Sequence, residues 1–220
     1  MELIRGLQNL KPEHRGCVAT IGNFDGVHLG HQAVFSALRS KGEALSLPSL
    51  VIVFEPQPAE YFHAVQTPAR LTRLREKLEI ITTLDIDRVL VLEFNSKLAA
   101  MPANEFVEQI LVNRLDIAHL YVGDDFRFGK NRVGDFQYLQ DAGATHGFSV
   151  ASMETIVHGQ DRISSTRIRV ALSNGELDEA ARSLGRPYHI CGRVGHGHKR
   201  GRKLNFPTIK IYLHLSLIHI

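Results

Sequence analysis

Cysteine is scarce in this 220-residue chain. The two present, Cys17 and Cys191, lie far apart in sequence. That excludes a disulfide-stapled scaffold and fits free thiols in a reducing cytoplasm. No apolar run approaches the roughly 18 residues that a membrane helix needs. Residues 1–10 contain Glu2 and Arg5 and no long apolar core, so no signal peptide is expected. There is no internal repeat and no low-complexity tract. Acidic residues are missing from 186–220, where Arg186, Arg193, Lys199, Arg200, Arg202, Lys203 and Lys210 stand alone. Residues 1–185 carry 19 basic and 23 acidic side chains, so the net charge of +3 comes from the tail. The main body therefore gives no electrostatic reason to expect nucleic acid.

What is there is a globular mixture, 44% hydrophobic and 22% charged, able to bury a core. The length suits one full domain and a remainder. Short apolar runs recur at Cys17–Ile21, Leu50–Phe54, Val89–Leu92 and Leu120–Val122, with a weaker one at Phe148–Ala151. Such runs fit strands of a parallel sheet covered on both faces. Helical stripes fall between them: Ala33, Val34, Ala37 and Leu38; Leu71, Leu74, Leu78 and Ile81; Phe106, Val107, Ile110 and Leu111; Phe136, Leu139 and Ala142. This alternation predicts βαβ units, an α/β fold with a Rossmann-like doubly wound parallel sheet, and ligands at the carboxyl ends of the strands. Asn174-Gly175 reads as a break between helices. The register changes near Gly185, so a boundary is expected at 185–188, dividing a domain 1–185 from a segment 186–220.

Four segments carry chemistry. GNFDGVHLGHQ, residues 22–32, follows the first strand and opens the first helix, where amide groups and the positive end of the helix dipole favour phosphate. His28 and His31 share a helix face and can donate to phosphate oxygens, with added charge if protonated. Two histidines that merely cap a helix would give the same tetrad, while no nearby third ligand completes a zinc site. ISSTRIR, residues 163–169, offers Ser164, Ser165 and Thr166 as helix caps. It puts Arg167 and Arg169 where the dipole disfavours cations, which suits a bound anion or simply solvated arginines. VGDDFRFG, residues 122–129, places Asp125, Phe126 and Phe128 at a strand's carboxyl end, where the rings either stack a planar ligand or close the core. FEPQP, residues 54–58, is a rigid loop in the corresponding place.

In this order and spacing the four segments resemble the adenylyltransferase module of bacterial bifunctional FAD synthetases, the riboflavin kinase/FMN adenylyltransferases. The resemblance covers about residues 10–208 and implies the HxGH nucleotidyltransferase fold. It also implies the reaction ATP + FMN → FAD + pyrophosphate with Mg²⁺. By resemblance, His28 and His31 bind the ATP phosphates and stabilise the transition state, while Ser165, Thr166 and Arg169 hold the phosphates from the other side. By the same resemblance Gly22, Asn23, Phe24, Asp25 and Gly26 line the nucleotide pocket, and Gly30 joins them in binding the nucleotide. Phe54, Pro56, Pro58, Phe62, Phe126 and Phe128 are candidates for the flavin side, and Asp125 stands where some relatives have Asn. Two other readings stand beside this one. One is a flavin- and nucleotide-binding remnant; the other is an HxGH transferase with a different phosphate acceptor.

Residues 192–208, GRVGHGHKRGRKLNFPT, resemble the start of the riboflavin kinase β-barrel. Thr208 matches the Thr of that family's Pro-Thr-Ala-Asn motif and would bind metal in a complete kinase module. Lys210 replaces the Asn, and a cation is a poor metal ligand. The motif-level resemblance fades after Ile209. The expectation is an incomplete barrel segment with a divergent tail and without kinase activity. Cytoplasmic location, small-molecule partners and no membrane contact complete the reading; nothing in the residues sets the oligomeric state.

Overall fold

Five consecutive residues at 17–21 are apolar or β-branched, and all five are buried as a strand. It lies inside a six-stranded sheet in which all pairings are parallel. The computed structural model describes residues 1–63, 67–152, 157–158, 161–195, 205–206 and 210–212. Thr208 lies outside the described residues, as do residues 196–204 of the basic tail.

The sheet strands are β1 (Glu2–Arg5), β2 (Cys17–Ile21), β3 (Ser49–Glu55), β4 (Arg88–Glu93), β5 (Ile117–Val122) and β6 (Ser149–Ser152). Their spatial order is β1-β4-β3-β2-β5-β6. From β2 the chain winds one way through β3 and β4, then returns to place β5 and β6 on the other side. The crevice beyond the carboxyl ends of β2 and β5 is thus the switch point where this topology seats ligands.

Alternate strand residues feed two cores, as a period of two requires. Cys17, Ala19, Ile21, Leu50, Ile52 and Leu120 pack on one face against Phe106, Ile110, Leu111 and Leu139. Val18, Val51, Val53, Val89 and Val91 pack on the other against Phe35, Leu38 and Ile81. The helices that cover these faces are α1 (Leu29–Leu45), α3 (Leu74–Thr82) and α6 (Phe136–His146), with a π-wound stretch Phe106–Val112 running on from α5 (Ala103–Glu105). Short helices α2 (Pro58–Phe62) and α4 (Ser96–Ala99) sit in the connections. The doubly wound expectation therefore holds.

Three details differ from the sequence reading. β1 was not anticipated; as an edge strand it buries only Ile4, so no apolar run announces it. The stripe at 106–111 is π- rather than α-wound, with bonds such as Asn113 N–H to Glu108 O at 2.8 Å. Leu71 precedes α3 instead of joining it, because its N–H is taken by the Asp25 carboxylate at 3.0 Å.

Beyond the sheet, β7 (Val157–His158) and β8 (Asp161–Arg162) pair antiparallel. Next come α7 (Ser165–Ser173) and α8 (Leu177–Leu184), which break at Asn174-Gly175 as expected and form a third core around Leu71, Ile168 and Leu184. Gly185 ends α8 in the left-handed region at φ 71°. Farther on, β9 (Arg193–Gly195) pairs antiparallel with β10 (Lys210–Tyr212). Among the described residues no helix is long and apolar enough to cross a membrane. Cys17 is a buried free thiol and Cys191 an exposed one.

Candidate functional site

The loops after β2, β3 and β5 and the start of α7 enclose a cleft of about 410 Å³. Its lining brings together Gly22, Asn23, Phe24, His28, Gly30, His31, Phe54, Pro58, Asp125, Phe126 and Ser165 from the sequence expectation. A larger open groove of about 1060 Å³ runs along α7 and α8 and contains none of those residues. The histidine cleft, not the larger groove, is where the chemistry gathers.

The β2–α1 loop is held in an unusual conformation. Phe24 and Val27 adopt φ of 45° and 42°, and Gly26 sits at 80°. Left-handed backbone at a bulky residue costs about 1–3 kcal/mol. Burial offsets it: Val27 is fully covered, and Phe24 packs on Phe35 with ring centroids 4.9 Å apart. At Gly26 an added Cβ would also lie 2.8 Å from Leu71 Cδ1. His28 then caps α1, its Nδ1 accepting the His31 N–H at 3.3 Å. In the neutral ring this places the proton on Nε2.

The His31 ring stacks on His28, with centroids 3.6 Å apart and 18° between planes, and meets Phe24 edge-on. Burial, then the neighbouring His28 and Lys77, holds the His31 pKa well below the ordinary histidine value. Without a bound anion this favours the neutral imidazole at His31 near pH 7.

On α7, Ser164 is the N-cap, accepting the Arg167 N–H at 3.2 Å, and Ser165 donates to the Asp25 carbonyl at 2.9 Å. Thr166 is exposed and does not line the cleft. The two arginines expected to signal an anion have carboxylate partners instead. Arg167 meets Glu179 at 2.7 Å, and Arg169 meets Asp25 at 2.6 Å while its Nε donates to Ala69 O. Asp25 itself is buried and accepts from Leu71 N, Thr72 N and Thr72 Oγ1. Asp25, Gly26 and Arg169 therefore sit behind the lining, where they fix the loop.

The opposite wall is aromatic. Phe54 lies edge-on to Phe94 at 5.8 Å, and Phe62 packs on the same ring at 5.7 Å but is 57% exposed outside the lining. Pro56 is also outside it, whereas Pro58 is inside. Of the paired phenylalanines after β5, Phe126 faces the cleft; Phe128 stacks on it at 5.6 Å and is buried against Phe106 and Tyr138. One ring is thus available to a ligand and the other closes the core. Asp124, Arg127 and Arg132 also line the cleft. So the cleft joins two helix N-termini and a stacked imidazole pair to an aromatic wall, a surface fit for a polyphosphate and a planar ring.

Sequence reasoning missed Lys77. It is fully buried and donates from Nζ to the carbonyl of Asn23. Its spacing was a signal: it stands three residues after Leu74 and four before Ile81, on the apolar stripe itself.

The FAD synthetase family matches residues 10–167, and the riboflavin kinase family matches residues 184–219, past the point where the motif-level resemblance fades. The chain is 52% identical over 213 residues to the bifunctional riboflavin kinase/FMN adenylyltransferase of Pseudomonas fluorescens, covering 97% of this chain and 68% of that protein. It is 48% identical over 214 residues to the protein of the same name from Escherichia coli K12, again covering 97% and 68%. A crystal structure described as a macrolide-efflux protein from Streptococcus pneumoniae superposes with a TM-score of 0.79 at 25% identity, covering 97% of this chain and 70% of that one. Over most of its length this chain is a member of the FAD synthetase family.

Proposed function

We propose that the chain is an FMN adenylyltransferase, a nucleotidyltransferase that makes FAD and pyrophosphate from ATP and FMN, and that residues 1–185 do the work. A phosphate oxygen of FMN attacks the ATP α-phosphorus in line. A new P–O bond forms as the α–β bridge breaks, and pyrophosphate leaves with the bridging oxygen. Aligning the two substrates in one cleft supplies part of the acceleration. Fixed donors at the developing charge supply more.

In this reading the Nε2–H of His28, the neutral His31 ring and the Ser164–Ser165 end of α7 attend the triphosphate. Phe54, Pro58 and Phe126 provide flat apolar surface for the isoalloxazine. Thr166, Pro56, Phe62 and Phe128 lie outside the present lining, and Asp25 with Arg169 supports it from behind. Bound Mg²⁺ offsets the repulsion between two polyanions. The donor set suits it, since Asp124 and Asp125 offer carboxylates in the cleft and Mg²⁺ takes one or two of these beside substrate phosphates and water. Two free thiols fit a cytoplasmic site of action. Riboflavin phosphorylation is left out of the assignment because Lys210 stands where the kinase motif has its metal-binding Asn.

The observation that carries the proposal is the stacked His28–His31 pair at the start of α1, facing the same cleft as Ser165 and the aromatic wall. The test is FAD formation from FMN, ATP and Mg²⁺ by the purified chain, read by chromatography, with nicotinamide mononucleotide and phosphopantetheine as competing acceptors. Turnover with FMN alone is expected. Binding of FMN without turnover, or preference for another acceptor, would remove the assignment.

A further inference from the structure

Two cations that do not line the cleft converge on the backbone of the loop that does. Lys77 on α3 reaches the Asn23 carbonyl. Arg186, one residue past Gly185, donates from Nη2 to Gly26 O at 2.6 Å and from Nη1 to Val27 O at 3.0 Å and Leu184 O at 3.2 Å. Among the described residues neither cation forms an ion pair.

The acids in the neighbourhood are already committed. Asp25 is held by Arg169, Glu55 and Glu60 by Arg70, and Glu76 by Arg73. Burial outweighs the attraction of Asp25, Glu55 and Glu60 and lowers Lys77 to about 8. Burial likewise lowers Arg186. Such charge is expensive in a folded protein unless an anion offsets it. The cleft side of the same loop is where an anion would do so.

We infer that Lys77 and Arg186 are positioning residues, a cationic backing that prepares the β2–α1 loop to receive the polyphosphate of a nucleoside triphosphate. They act in two ways. In a trans peptide the C=O and the following N–H point in opposite directions. Carbonyls drawn onto Lys77 and Arg186 therefore turn the N–H groups of Phe24 and His28 away from those cations. The positive charge behind the loop also lowers the cost of bringing a polyanion to its front. The inference rests on reading the cleft as a nucleotide site, and it extends that site to a residue beyond the end of α8.

The test is calorimetric titration of the full chain with inorganic pyrophosphate and, separately, with adenosine. Lys77→Gln and Arg186→Gln remove the charge but keep an N–H donor. Each is expected to weaken pyrophosphate binding by about tenfold, the difference between a charged and a neutral donor. Adenosine binding should stay within about twofold, and Arg186→Lys should recover most of the pyrophosphate affinity. Unchanged pyrophosphate binding in the glutamine variants overturns the inference. So does an equal loss for both ligands, which is what a merely structural brace produces. Should Lys77→Gln fail to fold, the Arg186→Gln and Arg186→Lys pair decides on the same criteria. A wild-type chain that makes FAD while the variants keep full pyrophosphate affinity overturns the backing alone. A wild-type chain that shows the pyrophosphate pattern yet makes no FAD overturns the flavin assignment alone.

Discussion

Arg169 and Asp25, 144 residues apart in sequence, form an ion pair at 2.6 Å. The pair ties the first turns of α7 to the loop that precedes α1. Both side chains are largely buried, and Asp25 also accepts from Leu71 and Thr72. Removing one partner leaves a buried charge uncompensated. Asp25→Ala should therefore cost about 3–5 kcal/mol in urea denaturation. The double variant with Arg169→Ala should cost less than the sum of the two singles. A midpoint for Asp25→Ala close to that of wild type would show that the pair does not hold the loop.

His28 both caps a helix and faces the cleft, and these roles can be separated. His28→Asn keeps a capping acceptor and loses the imidazole. Its thermal midpoint should stay near that of wild type while kcat for FAD formation drops by about 100-fold or more, the scale of losing one transition-state donor. His31→Ala should lower kcat comparably. Turnover near the wild-type value in both variants would deny them any part in catalysis.

His31 also sets an acid limit on stability. Its pKa in the folded chain lies well below 6.5, so below that pH an unfolded chain binds a proton that the folded chain refuses. This contribution is intact above pH 6.5 and declines as the pH falls beneath it. Urea midpoints measured from pH 7.5 down to 5 should fall more steeply for wild type than for His31→Gln. Parallel slopes would mean that the ring is free to protonate in place.

The two phenylalanines after β5 should behave oppositely. Phe128→Ala opens a hole against Phe106 and Tyr138 and should cost about 3–5 kcal/mol of stability. Phe126→Ala, on the cleft side, should mainly raise KM for FMN. If Phe126→Ala destabilised the chain as much as Phe128→Ala without moving KM, both rings would belong to the core.

What could be read from sequence was local, and what could not was distant. Cys17–Ile21 was legible to the residue because every position is apolar or β-branched and every position is buried. The histidine pair was legible because a spacing of three from the N-cap into the first turn of α1 brings the two rings together. β1 gave no signal, since an edge strand needs only Ile4 inside. The supports of the β2–α1 loop were equally silent. Lys77 reaches across 54 residues to Asn23, and Arg186 across 160 to Gly26. The carboxylate partners of Arg167 and Arg169 were not legible for the same reason: Glu179 and Asp25 become neighbours only when α7 packs.

Each wall of the cleft hangs from a different strand end. The imidazole pair comes from the loop after β2 and the start of α1, the serines from α7, and the aromatic surface from the end of β3 and the loop after β5. The strands beneath are buried on both faces and tolerate little change. In the proposed assignment, donor and acceptor recognition are therefore separable targets for selection. Under that assignment, exchanging residues 123–134 would change the acceptor surface while leaving the histidine loop and the start of α7 in place, so the scaffold could diversify without refolding.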